Sequence, residues 1–404
     1  MSIIESINDR SQWLDFLSYK QNNQSLTQNE EKSLWDFIEN RRYEFYYTLI
    51  KEAKFPTDFP HKIIVNKEGT KKKRIVYSFD EEEAIMFKFI AFNLYKFDYF
   101  FSESCYAFRR GYGVRDAIKR LKGNADFSKK YCFKADISNY FNSIDVELLL
   151  KKMEFVQKDD KELYSLFENV LREDRVYEKG KVISDIHGAM AGTPCSPFFA
   201  NVYLSDMDKE FCEKGIEYFR YSDDILIFAD TKEELDKYID YFYEKIQENK
   251  LTINDSKVVI TKPGQAFEFL GFSYDEGVID LSANTMRKLK AKIKRKADAL
   301  RRWQRNKGLT EDKAVIGFIN KMNSKFFGGS DRAWDEDDFT WSRWFFPNIN
   351  TDKSLKEIDE YMQQYIRYII TGRHYKGNYR ISYEQIKGWG YRSLVNEYYQ
   401  WKKR

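Results

Sequence analysis

Asp136 ends the apolar run Tyr131-Cys-Phe-Lys-Ala135, and 87 residues later the pair Asp223-Asp224 falls between Ile216–Tyr221 and Ile225–Phe228. An isolated Asp-Asp in a hairpin is ordinarily structural, because Asp tolerates unusual dihedrals and bonds its own backbone. Acids at the mouths of two apolar strands are another matter. A buried hairpin can offer them beside a second strand end, and hard oxygen ligands so placed hold paired Mg²⁺ ions, with Mn²⁺ as a substitute. Two such ions, ~3.5–4 Å apart, would lower the pKa of an attacking hydroxyl and stabilise a departing pyrophosphate. Asp136 and Asp223 would be the principal ligands and the Ile137 carbonyl could complete a coordination sphere. Asp224 points away from its neighbour on a strand-like segment, as a ligand or as a group supporting one.

The surrounding pattern must position these acids. Residues 1–50 carry apolar positions at helical spacing, among them Trp13, Phe16, Leu34 and Phe37, which predicts a helical extension. His61–Lys67 and Lys73–Tyr77 are β-branched runs around Glu68-Gly69-Thr70, a hairpin signature. Helical spacing returns at Phe87, Ile90 and Leu94, and Phe267–Phe272 reads as a further strand. Strands mixed with long helices make an α+β fold. Gly192 and Pro194 suit a tight loop before a helix that Ser196 could cap ahead of Pro197. From Thr285 to Lys307 the chain becomes a basic helix with Arg287, Lys290, Lys294, Arg295, Arg301 and Arg302 against Asp298 alone. Such single-sign charge is either a solvated face or a polyanion-binding one. Beyond it the chain is helical and aromatic, broken by Gly328-Gly329 and an acidic 331–338 loop.

Composition narrows the classes. A chain of 404 residues suggests two or three domains, and a net charge of +4 is too mild to imply a polyanion partner by itself. Cys105, Cys132, Cys195 and Cys212 form no C-x-x-C pair and the three histidines are scattered, which argues against disulfides, zinc and a His-metal nuclease. No apolar run approaches the ~20 residues of a membrane span, and the N-terminus has no signal-peptide core, so a cytoplasmic protein without a membrane partner is expected.

Three segments carry a family resemblance. Phe133-Lys-Ala-Asp-Ile-Ser-Asn-Tyr-Phe141, Gly192-Thr-Pro-Cys-Ser-Pro-Phe-Phe-Ala-Asn201 and Tyr218-Phe-Arg-Tyr-Ser-Asp-Asp-Ile225 resemble, in order and separation, motifs A, B and C of bacterial reverse transcriptases of the group II intron-like kind. Leu251–Lys257 resembles motif D, Phe267–Phe272 the primer-grip motif E, and Ser104–Gly111 a fingers motif, so the likeness spans roughly residues 60 to 275. It implies a right-hand polymerase: fingers at 51–128, a palm with an antiparallel sheet at 129–281 (a finger-like helical part at about 146–186), a basic helical thumb at 282–345 and a helical region at 346–404. It implies that Asp136, Asp223 and Asp224 are catalytic through two Mg²⁺ ions. Lys67 and Arg74 would grip the incoming deoxynucleoside triphosphate, where the plain alternative is two charges that keep a hairpin edge soluble. Phe141 would bar a ribose 2′-hydroxyl, Gly192 would let backbone approach nucleotide or template, and Lys257 would protonate pyrophosphate. Phe269, Leu270 and Gly271 would form the primer grip.

The branch is narrowed by departures. Ala191 stands where group II intron enzymes carry Gln, Ser196-Pro197 stands where diversity-generating enzymes carry Ser-Gln, and neither the Asn-Ala-x-x-His nor the Val-Thr-Gly signature of retron enzymes is found. The remaining likeness is to the "unknown group" defence-associated reverse transcriptases, which implies an RNA template, a dedicated structured noncoding RNA, a DNA product and an anti-phage role. An intron- or retron-type role, a nonenzymatic RNA-binding scaffold, a palm-type nucleotidyl cyclase and a homo-oligomer stay open from the residues alone.

Overall fold

The computed structural model describes residues 2–23, 26–66, 73–123, 125–328 and 340–403. They belong to two compact units, Met1–Pro263 and Gly264–Arg404, each mixing helices with sheet.

Four helices open the first unit: Ile3–Ile7, Arg10–Asn22, Gln28–Glu39 and Arg42–Lys51. Ser2, Asp9 and Thr27 each take up an otherwise orphaned amide at a helix start, and Thr27 with Glu30 forms a reciprocal capping box. The segment is helical as expected and packs on the rest of the unit. Trp13 stacks on Phe89 with centroids 3.9 Å apart, and the Ile4 N–H donates to Asp160 at 3.1 Å. Its apolar faces therefore share one core with the rest of the unit.

The expected hairpin is β1 (His61–Asn66) against β2 (Lys73–Ser78), antiparallel with Val65 opposite Arg74. Its turn at Glu68-Gly69-Thr70 and the candidate Lys67 lie outside the described residues. β3 (Tyr131–Asp136) follows. The expected helical part at about 146–186 is helical only through Arg172. It ends in a hairpin of β4 (Arg175–Glu178) and β5 (Lys181–Ser184), turning on Lys179 and Gly180 at φ +53° and +79°. Positive φ at both central residues matches the strand twist of a two-residue turn. β4 continues beside β1 in parallel, giving a sheet ordered β2-β1-β4-β5.

β6 (Glu217–Tyr221), β7 (Asp224–Ala229) and β8 (Val259–Thr261) complete a second, antiparallel sheet ordered β6-β7-β3-β8. β7 is buried throughout beyond Asp224 because both faces are covered, which its unbroken Ile-Leu-Ile-Phe run anticipates. On one side the Lys232–Glu248 helix packs Phe242 edge-on to Phe133, centroids 5.5 Å apart.

In the second unit, β9 (Phe267–Phe269), β10 (Phe272–Asp275) and β11 (Val278–Leu281) form a meander. The expected single strand Phe267–Phe272 is thus two: Leu270 and Gly271, at φ +52° and +89°, fold it back on itself. The basic helix runs Ala283–Lys307, capped by Ser282 and closed by Gly308 at φ +60°. Met286, Leu289, Ile293, Ala297 and Leu300 make its buried stripe, so the cations occupy the remaining faces. Helices Glu311–Phe327 and Lys353–Thr371 pack on it. Gly329 and the acidic 331–338 segment lie outside the described residues. Among those residues no helix is long and apolar enough to cross a membrane.

Candidate active site

The three acidic residues stand on neighbouring backbone at the end of the β3–β7 ladder. Asp136 lies opposite Asp224 in register, and the Ile137 N–H donates to the Asp223 carbonyl at 3.0 Å. On the other side of β3 the Asn254 N–H donates to the Asp136 carbonyl at 2.8 Å, and Ser138 bonds Thr252 likewise. The tip of β3 is therefore held from both sides. The turn joining β6 to β7 is two residues, Ser222 and Asp223, with Ser222 at φ +61°. A left-handed φ outside glycine stores strain, which persists where surrounding structure overdetermines it.

Arg220 does the overdetermining. It lies wholly inside the protein, its Nε donating to Asp208 Oδ1 at 2.7 Å and its Nη1 to the Ser222 carbonyl at 3.4 Å.

Electrostatically the acids sit in a state that wants cations. Burial first, then the charge of Asp136, holds the Asp223 carboxyl above the usual carboxylate range, against the pull of Lys257 and Arg74. Asp224 is pushed up to about 6, chiefly by burial, with Asp223 and Asp136 adding to the rise and Lys134 opposing it. Lys257, on a single turn after Asn254, is paired with Asp136. Lys134 Nζ lies 3.4 Å from Asp224 Oδ1, within ion-pair range but off hydrogen-bonding geometry, so that buried oxygen accepts no hydrogen bond. Among the described residues no three acidic, His or Cys side chains converge on one ion-sized point. The donor set is nonetheless all hard oxygen, with one sealed acceptor unused, and that suits Mg²⁺.

Around the acids stand the other candidates of the first unit. Arg74, on β2, is exposed and close enough to lower the Asp223 pKa. Phe141 is half-buried on the short Tyr140–Ser143 helix, edge-on to Phe108 with centroids 6.1 Å apart. Gly192, at φ +102°, lies where a Cβ would come within 3.1 Å of the Tyr77 carbonyl, and its neighbour Ala191 accepts from the Tyr77 N–H at 2.8 Å. Ser196 does not cap the helix after this loop. It is the first residue of Ser196–Tyr203, and its hydroxyl donates back to the Thr193 carbonyl at 2.9 Å, with Pro197 in the first turn as expected. Lys134, Asn142, Gly188, Asp208 and Arg220 belong to the neighbourhood without having been singled out by sequence. Arg220 alone gave a signal, a charge between Phe219 and Tyr221 in an apolar strand, which demands a buried partner.

The remaining candidates lie in the second unit. Phe269 is buried at the end of β9, and the Gly271 carbonyl accepts from the Ser282 N–H and the Thr285 hydroxyl, each at 2.9 Å. On the basic helix, Arg287, Lys294, Arg295 and Arg302 are exposed. Two others turn inward: Lys290 pairs with Glu357, and Arg301 donates to the Gly372 carbonyl at 2.6 Å over the Tyr368 ring.

Comparison with known proteins adds the family. Residues 65–274, just over half of the chain, match the model of the reverse transcriptase (RNA-dependent DNA polymerase) family. The chain is 31% identical over 123 residues to the retron Ec83 reverse transcriptase of Escherichia coli, covering 29% of this chain and 38% of that protein. It is 26% identical over 106 residues to the retron Ec86 enzyme of the same organism, covering 25% and 33%. The matches thus span 33–38% of the length of these relatives. Among solved structures, apo telomerase from Candida tropicalis aligns with a TM-score of 0.47 at 10% identity over 88% of this chain and 64% of that one. Telomerase from Candida albicans with a fragment of telomeric RNA gives 0.44 at 12% over 92% and 71%. With the family match running from the end of β1 to β10 and enclosing Asp136, Asp223 and Asp224, the chain belongs to the reverse transcriptase (RNA-dependent DNA polymerase) family.

Proposed function

We propose that the protein is an RNA-directed DNA polymerase that copies a structured noncoding RNA into DNA, in the manner of the defence-associated branch, with an anti-phage role. The observation carrying the polymerase assignment is the meeting of Asp136 and Asp224 in cross-strand register with Asp223 bonded through its carbonyl to Ile137. The defence role rests on Ala191 and Ser196-Pro197, which depart from the intron and diversity-generating patterns.

Asp136, Asp223 and Asp224, with the Ile137 carbonyl, would hold two Mg²⁺ ions, for which Mn²⁺ could substitute. When bound, the ions supply the charge that activates a primer hydroxyl and neutralises the leaving pyrophosphate. Arg74 grips the triphosphate, with Lys67 as its expected companion. Phe141 lies under the sugar and excludes a 2′-hydroxyl. Lys257 leaves Asp136 for the triphosphate and delivers a proton to the pyrophosphate. In this scheme 51–128 act as fingers, 129–281 as palm and 282–345 as a thumb whose Arg287, Lys294, Arg295 and Arg302 follow duplex phosphates, so binding weakens steeply with salt. Phe269, Leu270 and Gly271 steady the primer, and the 346–404 helices either bind structured RNA or a second copy of the chain or serve only to pack within the fold.

The test is DNA synthesis by purified protein on a primed RNA template, with RNA binding measured in parallel. Asp223→Ala should abolish synthesis and leave RNA affinity nearly intact. Retained synthesis would sink the carboxylate assignment, and RNA binding without synthesis in the unaltered protein would favour a nonenzymatic scaffold. Sequencing RNA and DNA copurified from native cells, with and without the acids, would identify the template.

A further inference from the structure

Asn142 follows Phe141 and has no place in the chemistry above, yet three separate parts of the chain meet on its side chain. Its Nδ2 donates to the Ile75 carbonyl on β2 at 3.3 Å, across 67 residues of sequence. Its Oδ1 accepts from the Ala191 N–H at 2.9 Å, across 49 residues. The loop it holds is tied down twice more, since the Ala189 N–H donates to the Phe141 carbonyl at 2.8 Å and the Tyr77 N–H to the Ala191 carbonyl at 2.8 Å. Both backbone groups of Ala191 are thereby spoken for, one of them by Asn142. The loop closes on its neighbours without slack. A Cβ on Gly188, at φ +55°, would lie 2.6 Å from the Phe141 carbonyl oxygen and 2.9 Å from that of Asn142, and one on Gly192 would lie 3.1 Å from Val76.

Each contact stands one residue from a group assigned to the nucleotide. Ile75 follows Arg74, Asn142 follows Phe141, and Ala191 precedes Gly192. Phosphate cation, sugar-facing ring and backbone loop are thus joined through a single amide. Only Asn or Gln offers a donor and an acceptor on one short planar group, and the shorter stem fits two backbone groups this near. The orientation follows from its partners, since a flipped amide would set oxygen against the Ile75 carbonyl and NH₂ against the Ala191 N–H. With both ends committed to backbone, the side chain has no need of substrate to be satisfied.

We infer that Asn142 is a positioning residue that sets the width of the nucleotide pocket, and so fixes nucleotide affinity and the preference for deoxyribose over ribose, without taking part in the chemical step. The inference rests on the nucleotidyl-transfer proposal above and adds to it a residue outside the carboxylates, the cations and the ring.

Its test compares the unaltered protein with Asn142→Leu, which removes both bonds while keeping the branched shape, and Asn142→Asp, which keeps the acceptor and loses the donor. Single-nucleotide addition to a primed RNA template is followed with dTTP and with UTP. Binding of the same two nucleotides is measured without primer in the presence of Ca²⁺, and thermal melting establishes the folded fraction. Asn142→Leu should raise KM for dTTP about tenfold and narrow the dTTP-to-UTP preference by a similar factor, the worth of one or two hydrogen bonds, with kcat within about twofold. Asn142→Asp should fall between. A loss of kcat in proportion to the folded fraction, with KM and sugar preference unchanged, would reduce Asn142 to a structural residue and overturn the inference. If the leucine variant does not fold, the aspartate variant decides by the same criterion. If the unaltered protein makes no DNA, the polymerase proposal fails, and Ca²⁺-supported binding still decides for Asn142: a deoxynucleotide preference lost in the variants upholds it, and equal preference in all three overturns it.

Discussion

Arg220 and Asp208 form an ion pair with neither side chain exposed to solvent, and the same guanidinium reaches the carbonyl of Ser222, the residue before Asp223. Tyr218 donates to Asp208 at 2.9 Å and Arg220 Nη2 lies 3.1 Å from the Cys105 sulfur, so the pair is bonded on every side. Replacing one member strands the other charge in the interior, at a cost of about 3–5 kcal/mol. Arg220→Met should therefore lower the denaturation midpoint sharply, and Arg220→Met with Asp208→Leu should recover much of it. Urea titration of both variants checks this; equal midpoints would contradict it.

Asp224 should cost the protein stability when no cation is bound. It keeps 25% of its side chain exposed but one oxygen sealed without a hydrogen bond, and its pKa is pushed up to about 6. Because the folded carboxyl holds its proton where the unfolded one, with a pKa of about 4, has lost it, this group's contribution falls as pH rises from about 4 to about 6. Asp224→Asn should flatten that slope and, in EDTA at pH 8, stabilise the fold by about 1–3 kcal/mol. Melting temperatures across pH 4–8 would show it, and a less stable variant at pH 8 would refute it.

The glycine at position 188 should tolerate no side chain. The positive φ and the 2.6 Å approach to the Phe141 carbonyl both oppose a Cβ. Gly188→Ala should destabilise by about 1–3 kcal/mol, whereas Gly215→Ala, also at positive φ but with open space around it, should lose less. Paired denaturant curves compare the two.

Phe141→Ala should admit ribonucleotides. If the ring lies under the sugar as proposed, opening the space beside it would remove steric rejection of the 2′-hydroxyl, so the dTTP-to-UTP ratio of kcat/KM should fall at least about tenfold. An unchanged ratio would place the sugar elsewhere.

Lys257 is paired with Asp136, so in the proposed two-metal scheme it would compete with magnesium for that carboxylate. Lys257→Met frees that carboxylate, so half-saturation by Mg²⁺ should drop several-fold, while loss of the proton donor cuts the rate by about 10²-fold. A magnesium titration of nucleotide addition separates the two effects, and EDTA should abolish addition in both proteins. Unaltered rate in the variant would remove Lys257 from the proton-delivery role.

The local patterns determined a good deal. β-branched and aromatic runs specified β1, β2, β3, β6 and β7, and the basic composition of Thr285–Lys307 marked the Ala283–Lys307 helix, because these depend on side chains near in sequence. The order of the acids and the Tyr221–Asp224 hairpin were legible for the same reason. Short elements were not: Arg175–Ser184 hid its hairpin behind a Lys-Gly turn, and Phe267–Phe272 concealed a reversal at Leu270 that no apolar pattern marks. Tertiary structure alone decided which charges pair. It turned Arg301 and Lys290 inward on a helix that reads as uniformly basic, gave Lys257 to Asp136 and Asp208 to Arg220, and brought Asn142 between Ile75 and Ala191. The periodicity of a sequence states which face of an element is apolar, while the partner of a buried polar group is chosen by whichever distant segment the packed core delivers within hydrogen-bonding distance.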